Sequence, residues 1–483
     1  MSTTPPPLLS LRRQLLLLFV FLFAVFVAHQ IAQWGQNVSP IPLGIGRWFP
    51  VSYGHPRIPS FLQATVALLS VVGFAGAVRF LPHLPERRRY GVAALIGFLS
   101  ILATTATHGT ERGFAHPVAG REPRAAPIQY WHDAEAQRIT TGAGALRFVR
   151  DYRTVQPTLA EHGRTHPPGA VLFFALLRQA SGNRPALAAV VVCLIAVTLV
   201  AVGFRHAGAP PFVLLLFCAL PAVQVYFCAT LDAVIAGLLF IAVTAVRVSP
   251  PAPNAGGDGG HRAELLRSTG DRPPAFYPAP PAMGAGGLWK TFLALLAASF
   301  LTFGVVWVVP VLFAVETAQT RRFPWRSVSS LLAVALCYSV LYALTGFDYF
   351  VAFRFASVNE NPDGFRLLVS PPEYVATRLE NIADFLFFAG PFALWAAWRG
   401  LSAARREDFL VWVMFVAGVA SLALLFLAGA YRTGETGRAC LFLYPLLALV
   451  AARHPLSDRD RETLLIATFG VSAALQCAGF YFW

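Results

Sequence analysis

Apolar runs of about the ~20 residues that an α-helix needs to cross a hydrocarbon core recur along this chain, separated by short arginine-bearing junctions. The runs lack the two-residue alternation of barrel strands. The pattern therefore predicts an all-α integral membrane protein, because a spanning helix satisfies its own backbone hydrogen bonds. About thirteen spans are expected, near 14–33, 61–79, 91–107, 185–204, 211–227, 229–247, 289–303, 305–319, 328–345, 382–398, 409–428, 439–452 and 463–481. Arg12/Arg13, Arg87/Arg88/Arg89, Arg205, Arg321/Arg322/Arg326, Arg405/Arg406 and Arg453/Arg459 then share one side, which the positive-inside rule makes cytoplasmic, together with the N-terminus. This alternation holds only if the run 168–180 does not cross. At ~1.5 Å per residue it falls short of a core of ~30 Å, so an interfacial helix on the outer face is expected there.

Composition changes this picture little. The chain is 56% hydrophobic and 13% charged, against about 25% charged for a soluble domain. The net charge of +14 sits mainly in the junctions, where it sets orientation and does not point to nucleic acid. Six cysteines lie in or beside apolar runs without a metal-ligand spacing. No metal cluster is visible, so a metal-independent chemistry with no cofactor is expected. The run after Arg13 is too long for a signal-peptide core and reads as a first helix. Four regions follow: 1–90, a two-helix extension; 91–248, a core with the long outer loop 108–168; 249–288, a Pro/Gly-rich cytoplasmic linker expected to be disordered; and 289–483, the C-terminal transmembrane helices.

Ionisable groups on the outer side concentrate in 108–168, 346–381 and 429–440, whereas loop 34–60 holds no acid. Such loops are where a membrane protein places its chemistry. In "HGRTHPPGAV" (162–171), His166 precedes a proline and must be extended, and Pro167/Pro168 start a helix. The amides of Gly169 and Ala170 are then expected to point outward as an anion site, with His162, Arg164 and His166 as added donors. An interfacial helix whose histidines and arginine touch lipid headgroups is the equal alternative. In "QYWHDAEAQ" (129–137), Asp133 is a candidate general base for an acceptor hydroxyl, or the N-cap of a helix through 134–148. Asp151 in "VRDYRTVQP" is the reserve base, with pairing to Arg150 or Arg153 as its structural alternative. In "YRTGETGRACLFLYP" (431–445), Arg432, Glu435 and Arg438 form either a phosphate or sugar clamp or an interhelical ion pair. Asp232, near the outer end of a span, is expected to pair with an outer-loop arginine or to touch substrate.

An outer-loop aspartate, HPPG opening an apolar run, Pro221 to Asp232 in a later span and an Arg/Glu cluster before a late span occur here in that order. This order resembles membrane glycosyltransferases of the GT-C superfamily, in the branch of protein mannosyltransferases and aminoarabinose transferases. Members usually read HPPL or KPPL where this chain has His166-Pro167-Pro168-Gly169. The resemblance covers roughly 95–245 and the later spans loosely. It implies a GT-C-like multi-span fold and a polyprenyl-phosphate sugar donor. It also implies a glycan, lipid or protein acceptor and a site on the non-cytoplasmic face of a bacterial plasma membrane. The family's acid usually follows its first helix, so the module is expected to begin at the third span, with Asp133 or Asp151 as the base. His166 matches the residue that meets the donor phosphate, with Arg432 or Arg438 opposite. The competing expectations are a transporter or flippase for a lipid-linked or anionic substrate, and an inactive scaffold in envelope assembly.

Overall fold

The computed structural model describes residues 10–21, 23–24, 58–120, 130–246, 286–362, 364–431 and 436–478. Of these, 84% are helical and none is in a strand. The linker 249–285, most of loop 34–60, Arg432 and Glu435 lie outside the described residues.

Among the described residues, six helices are long and apolar enough to cross a membrane: Phe61–His83, Glu86–His108, Pro185–His206, Phe303–Thr320, Trp325–Thr345 and Phe409–Leu427. Each coincides with one of the expected spans. Four shorter apolar helices, Pro168–Ala180, Leu231–Ala245, Gly287–Leu301 and Leu441–Ala451, accompany them. Prolines and a glycine explain where the longer apolar runs divide. Leu220 is extended (ψ 142°) ahead of Pro221, which separates Pro211–Ala219 from Pro221–Tyr226 within the expected span 211–227. Gly390, at φ 78°, separates Pro371–Ala389 from Pro391–Glu407 in the same way.

Breaking a helix frees backbone carbonyls, and in an apolar interior each freed group must find a donor. At the first break the donor is Gln224, fully buried, whose amide bonds Cys218 O and Ser100 Oγ while its Oε1 accepts from Thr104 Oγ1 at 2.6 Å. Gln476 Nε2 in turn donates to Gln224 O at 2.7 Å. The break is thus closed by a satisfied polar network.

Small residues set the closest helix approaches. A Cβ on Gly203 would stand 2.4 Å from the Phe240 ring, and one on Gly237 would stand 2.6 Å from Leu199. These contacts, with Cys228 Sγ against Ala189 O, lay Pro185–His206 parallel to Leu231–Ala245, so Asp232 lies level with about Cys193. That is about 20 Å from His206 at ~1.5 Å per residue. Several contacts join the arginine-bearing junctions to one another: Arg79 with Glu462, Arg453 with Asp408, Arg461 over Phe212, and Lys290 with His206. The polar residues considered next therefore sit at the opposite end of the bundle from those junctions.

Candidate active site

Two elements of the segment 108–180 form one unit. Helix Tyr130–Ala136 packs on helix Pro168–Ala180, with the Tyr130 and Phe174 rings stacked at 5.3 Å. Arg178 fixes the register: it pairs with Glu135 at 3.0 Å, bonds Trp131 O and lies over the Trp131 ring. Tyr152, buried completely, donates to His166 O and Gly163 O and so holds the segment that leads into the two prolines. The expected helix start is in place, with Pro168 its first residue after an extended Pro167.

Asp133 lies within its helix and does not cap it; Thr141 caps the following helix, Gly142–Arg150. Its carboxylate reaches across to residues 160–163. Oδ1 accepts the Ala160 N–H at 3.0 Å, and Oδ2 is buried with no hydrogen-bond partner. Gly163 is a glycine for this reason, since a Cβ there would stand 2.1 Å from Oδ2. Burial pushes the Asp133 carboxyl up to about 6, with the Ala160 N–H and nearby His132 pulling the other way.

The two histidines of HGRTH flank Tyr130, with ring centroids at 6.3 Å for His162 and 5.5 Å for His166. Burial and the nearby Arg438 guanidinium push His162 down to about 3 and His166 down to about 4. Both are neutral at pH 7, so the positive potential expected here comes from arginine. His166 Nδ1 lies 3.0 Å from His162 O. A carbonyl only accepts, so Nδ1 carries the proton and Nε2 is left with a lone pair.

Arg438 comes from the far end of the sequence, on the turn Thr436–Ala439, and pairs with Asp232 at 3.4 Å. Tyr130 sits among these groups. Burial and the Asp232 carboxylate raise its hydroxyl well above the ordinary value, and Arg438 opposes them. Asp133, His162, His166, Asp232 and Arg438 therefore occupy one neighbourhood around Tyr130. Arg164 follows Gly163 in the same segment, and its Nε is buried without a partner.

Two expectations are corrected. Gly169 and Ala170 do not present free amides: both are buried, and the Ala170 N–H donates to Pro167 O at 3.1 Å. Gly169 serves close packing instead, since a Cβ there would stand 2.0 Å from Phe300 O. The start of the Pro168 helix is thus covered by another helix and is not an open anion cradle. Asp151 is exposed and lines a separate open pocket of about 260 Å³ with Arg138, Arg147 and Gln137, apart from the Tyr130 neighbourhood.

One group of residues escaped the reading of the sequence. On helix Pro371–Ala389, Thr377, Glu380, Asn381 and Asp384 fall at i, i+3, i+4 and i+7, which is a single face. All four are buried. Burial and the neighbouring Asp384 push Glu380 up to about 9, and neither of its carboxyl oxygens has a partner. The spacing of polar residues was the available signal. It straddles the expected boundary between loop 346–381 and span 382–398, which hid it. Among the described residues, no group of three or more His, Cys, Asp or Glu is placed to hold a metal ion.

Comparison with protein-family models, with curated proteins and with solved structures returns no match.

Proposed function

We propose that this protein is an inverting membrane glycosyltransferase. It moves a sugar from a polyprenyl-phosphate donor to an acceptor hydroxyl on the extracytoplasmic face, within a GT-C-like arrangement of about thirteen spans. The observation that carries this reading is Asp133: a buried carboxylate with one oxygen used to hold the loop and the other unpartnered, tuned to about 6 and set beside two neutral histidines and an arginine. A group of that pKa is ionised at pH 7 yet basic enough to take a proton from a hydroxyl as it attacks.

In this reading Asp133 Oδ2 receives the acceptor's proton while the hydroxyl oxygen bonds the anomeric carbon and the polyprenyl phosphate departs. Arg438, with Arg164 as the second cation of the region, meets charge developing on that phosphate. His166 is neutral in the empty site. An arriving phosphate raises its pKa, and the protonated ring then donates from Nε2 as well. An apolar groove of about 290 Å³, lined by Leu293, Phe300, Tyr338 and Leu341 among others, opens beside Phe300, whose backbone touches Gly169. It supports a place for the lipid tail next to the site. The broken helix at Leu220 is the feature that favours a transporter instead, but Gln224 closes that break with satisfied bonds.

The test is release of polyprenyl phosphate from a panel of polyprenyl-phosphate sugars by the protein in proteoliposomes. Release by the wild type that is lost in Asp133→Asn supports the reading. Translocation of the lipid-linked sugar without release sinks it in favour of a transporter, and neither activity leaves the scaffold.

A further inference from the structure

Arg438 reaches the Tyr130 neighbourhood from a four-residue helical turn, which is too short to hold its own direction. The turn is anchored on helix Pro371–Ala389. Asp384 Oδ2 accepts the Gly437 N–H and lies 3.2 Å from Thr436 Oγ1, which also bonds Asn381 O at 2.7 Å. Gly437 presses on the Phe388 ring, where a Cβ would stand 2.2 Å away. Asp384, Thr436 and Phe388 are all buried, so water does not compete for these bonds. The next residue along, Arg438, makes the ion pair with Asp232.

We propose that Asp384 is a positioning residue: by clamping the Thr436–Gly437 amide and hydroxyl it aims Arg438 at Asp232 and at the two histidines of HGRTH. It acts through the arginine that follows the clamped residues. The phosphate-facing role of Arg438 rests on the function proposed above; the clamp does not.

The experiment compares wild type, Asp384→Ala, Asp384→Asn, Arg438→Ala and the Asp384→Ala/Arg438→Ala double variant in lipid nanodiscs. Histidine hydrogen–deuterium exchange as a function of pH reports His162 and His166. Because Arg438 depresses both, Arg438→Ala should raise their midpoints. Asp384→Ala should raise them by a similar amount, and the double variant no further. Asp384→Asn keeps an oxygen for the Gly437 N–H and should stay close to wild type, as a loss of bulk stability alone would not predict. If Asp384→Ala fails to fold, Thr436→Val removes the hydroxyl arm of the clamp and should move the midpoints part of the way. Binding of undecaprenyl phosphate, followed by native mass spectrometry, should weaken about tenfold in Asp384→Ala and in Arg438→Ala without compounding in the double. The positioning claim is overturned if Asp384→Ala, or Thr436→Val in its place, leaves the midpoints at wild type while Arg438→Ala moves them. Fully additive effects overturn it as well. Should undecaprenyl phosphate fail to bind the wild type, the functional reading falls, and the histidine midpoints still decide the clamp.

Discussion

Asp133 and Asp151 belong to the same segment, 108–168, each beside aromatic and basic residues, yet the fold treats them oppositely. Asp133 is 7% exposed, braces the segment before HPPG with one oxygen, and faces Gly163 with the other. Asp151 stands in the open on a shallow polar pocket. Which of them can act as a tuned base is decided by chain that returns from a distance: residues 160–166 close over Asp133, and Arg438 arrives from the far end of the sequence. Local composition does not separate the two; burial does.

The sharpest way to break this contrast is to remove each carboxylate. Asp133→Asn should lower transfer by about 10²–10⁴-fold, the range for a lost general base, whereas Asp151→Asn should stay within about twofold. Equal losses would dissolve the distinction; the readout is initial rate of donor turnover in proteoliposomes.

A second test moves the neighbour and leaves the acid alone. Gly163→Ala places a methyl group where Asp133 Oδ2 lies, and should cost about 1–3 kcal/mol of stability, as overpacking does, along with most of the activity. Gly142→Ala, on the Asp151 side with nothing within 4 Å, should change neither. Thermal unfolding in detergent, paired with activity, separates them.

The third test is pH. Asp133 titrates near 6 in the folded protein, raised from 3.8. The folded state therefore binds this proton more tightly than the unfolded one, and stability falls as pH rises between those values. Asp133→Asn should remove that fall, gaining up to about 3 kcal/mol relative to the wild type above pH 6, at ~1.4 kcal/mol per unit. Turnover in the wild type should rise as pH passes through about 6, where Asp133 ionises in the folded protein. His162 and His166 carry the opposite sign. Both are held neutral, so their contribution is complete above 6.5 and is lost as pH falls toward 4 and 3.

The smallest effect on activity is expected at Glu380. It is neutral below about 9 in the folded protein, and Gln mimics that form. Glu380→Gln should match wild-type activity at pH 7. Its stability should improve relative to wild type as pH rises from about 5 toward 9, which parallel unfolding curves would show.

Much of the architecture was legible because membrane helices write themselves locally. The apolar runs gave the class, Pro168 marked a helix start, and an acid near a span end anticipated the Asp232–Arg438 pair. What was not legible depends on residues distant in sequence. Gly169 reads as an opening for an anion until Phe300 O is seen against it. The division at Leu220 needed the weight of Pro221 against a continuous apolar run. Thr377, Glu380, Asn381 and Asp384 had a readable helical period, but a stripe of polar residues facing a protein interior looks the same in sequence as one facing water. Arg432 and Glu435, singled out with Arg438, lie outside the described residues.

The most direct test of the account measures donor binding and turnover on one preparation of Asp133→Asn. The account predicts that it binds a polyprenyl-phosphate sugar as the wild type does, while turnover falls by about 10²–10⁴-fold. Wild-type turnover in that variant would contradict it.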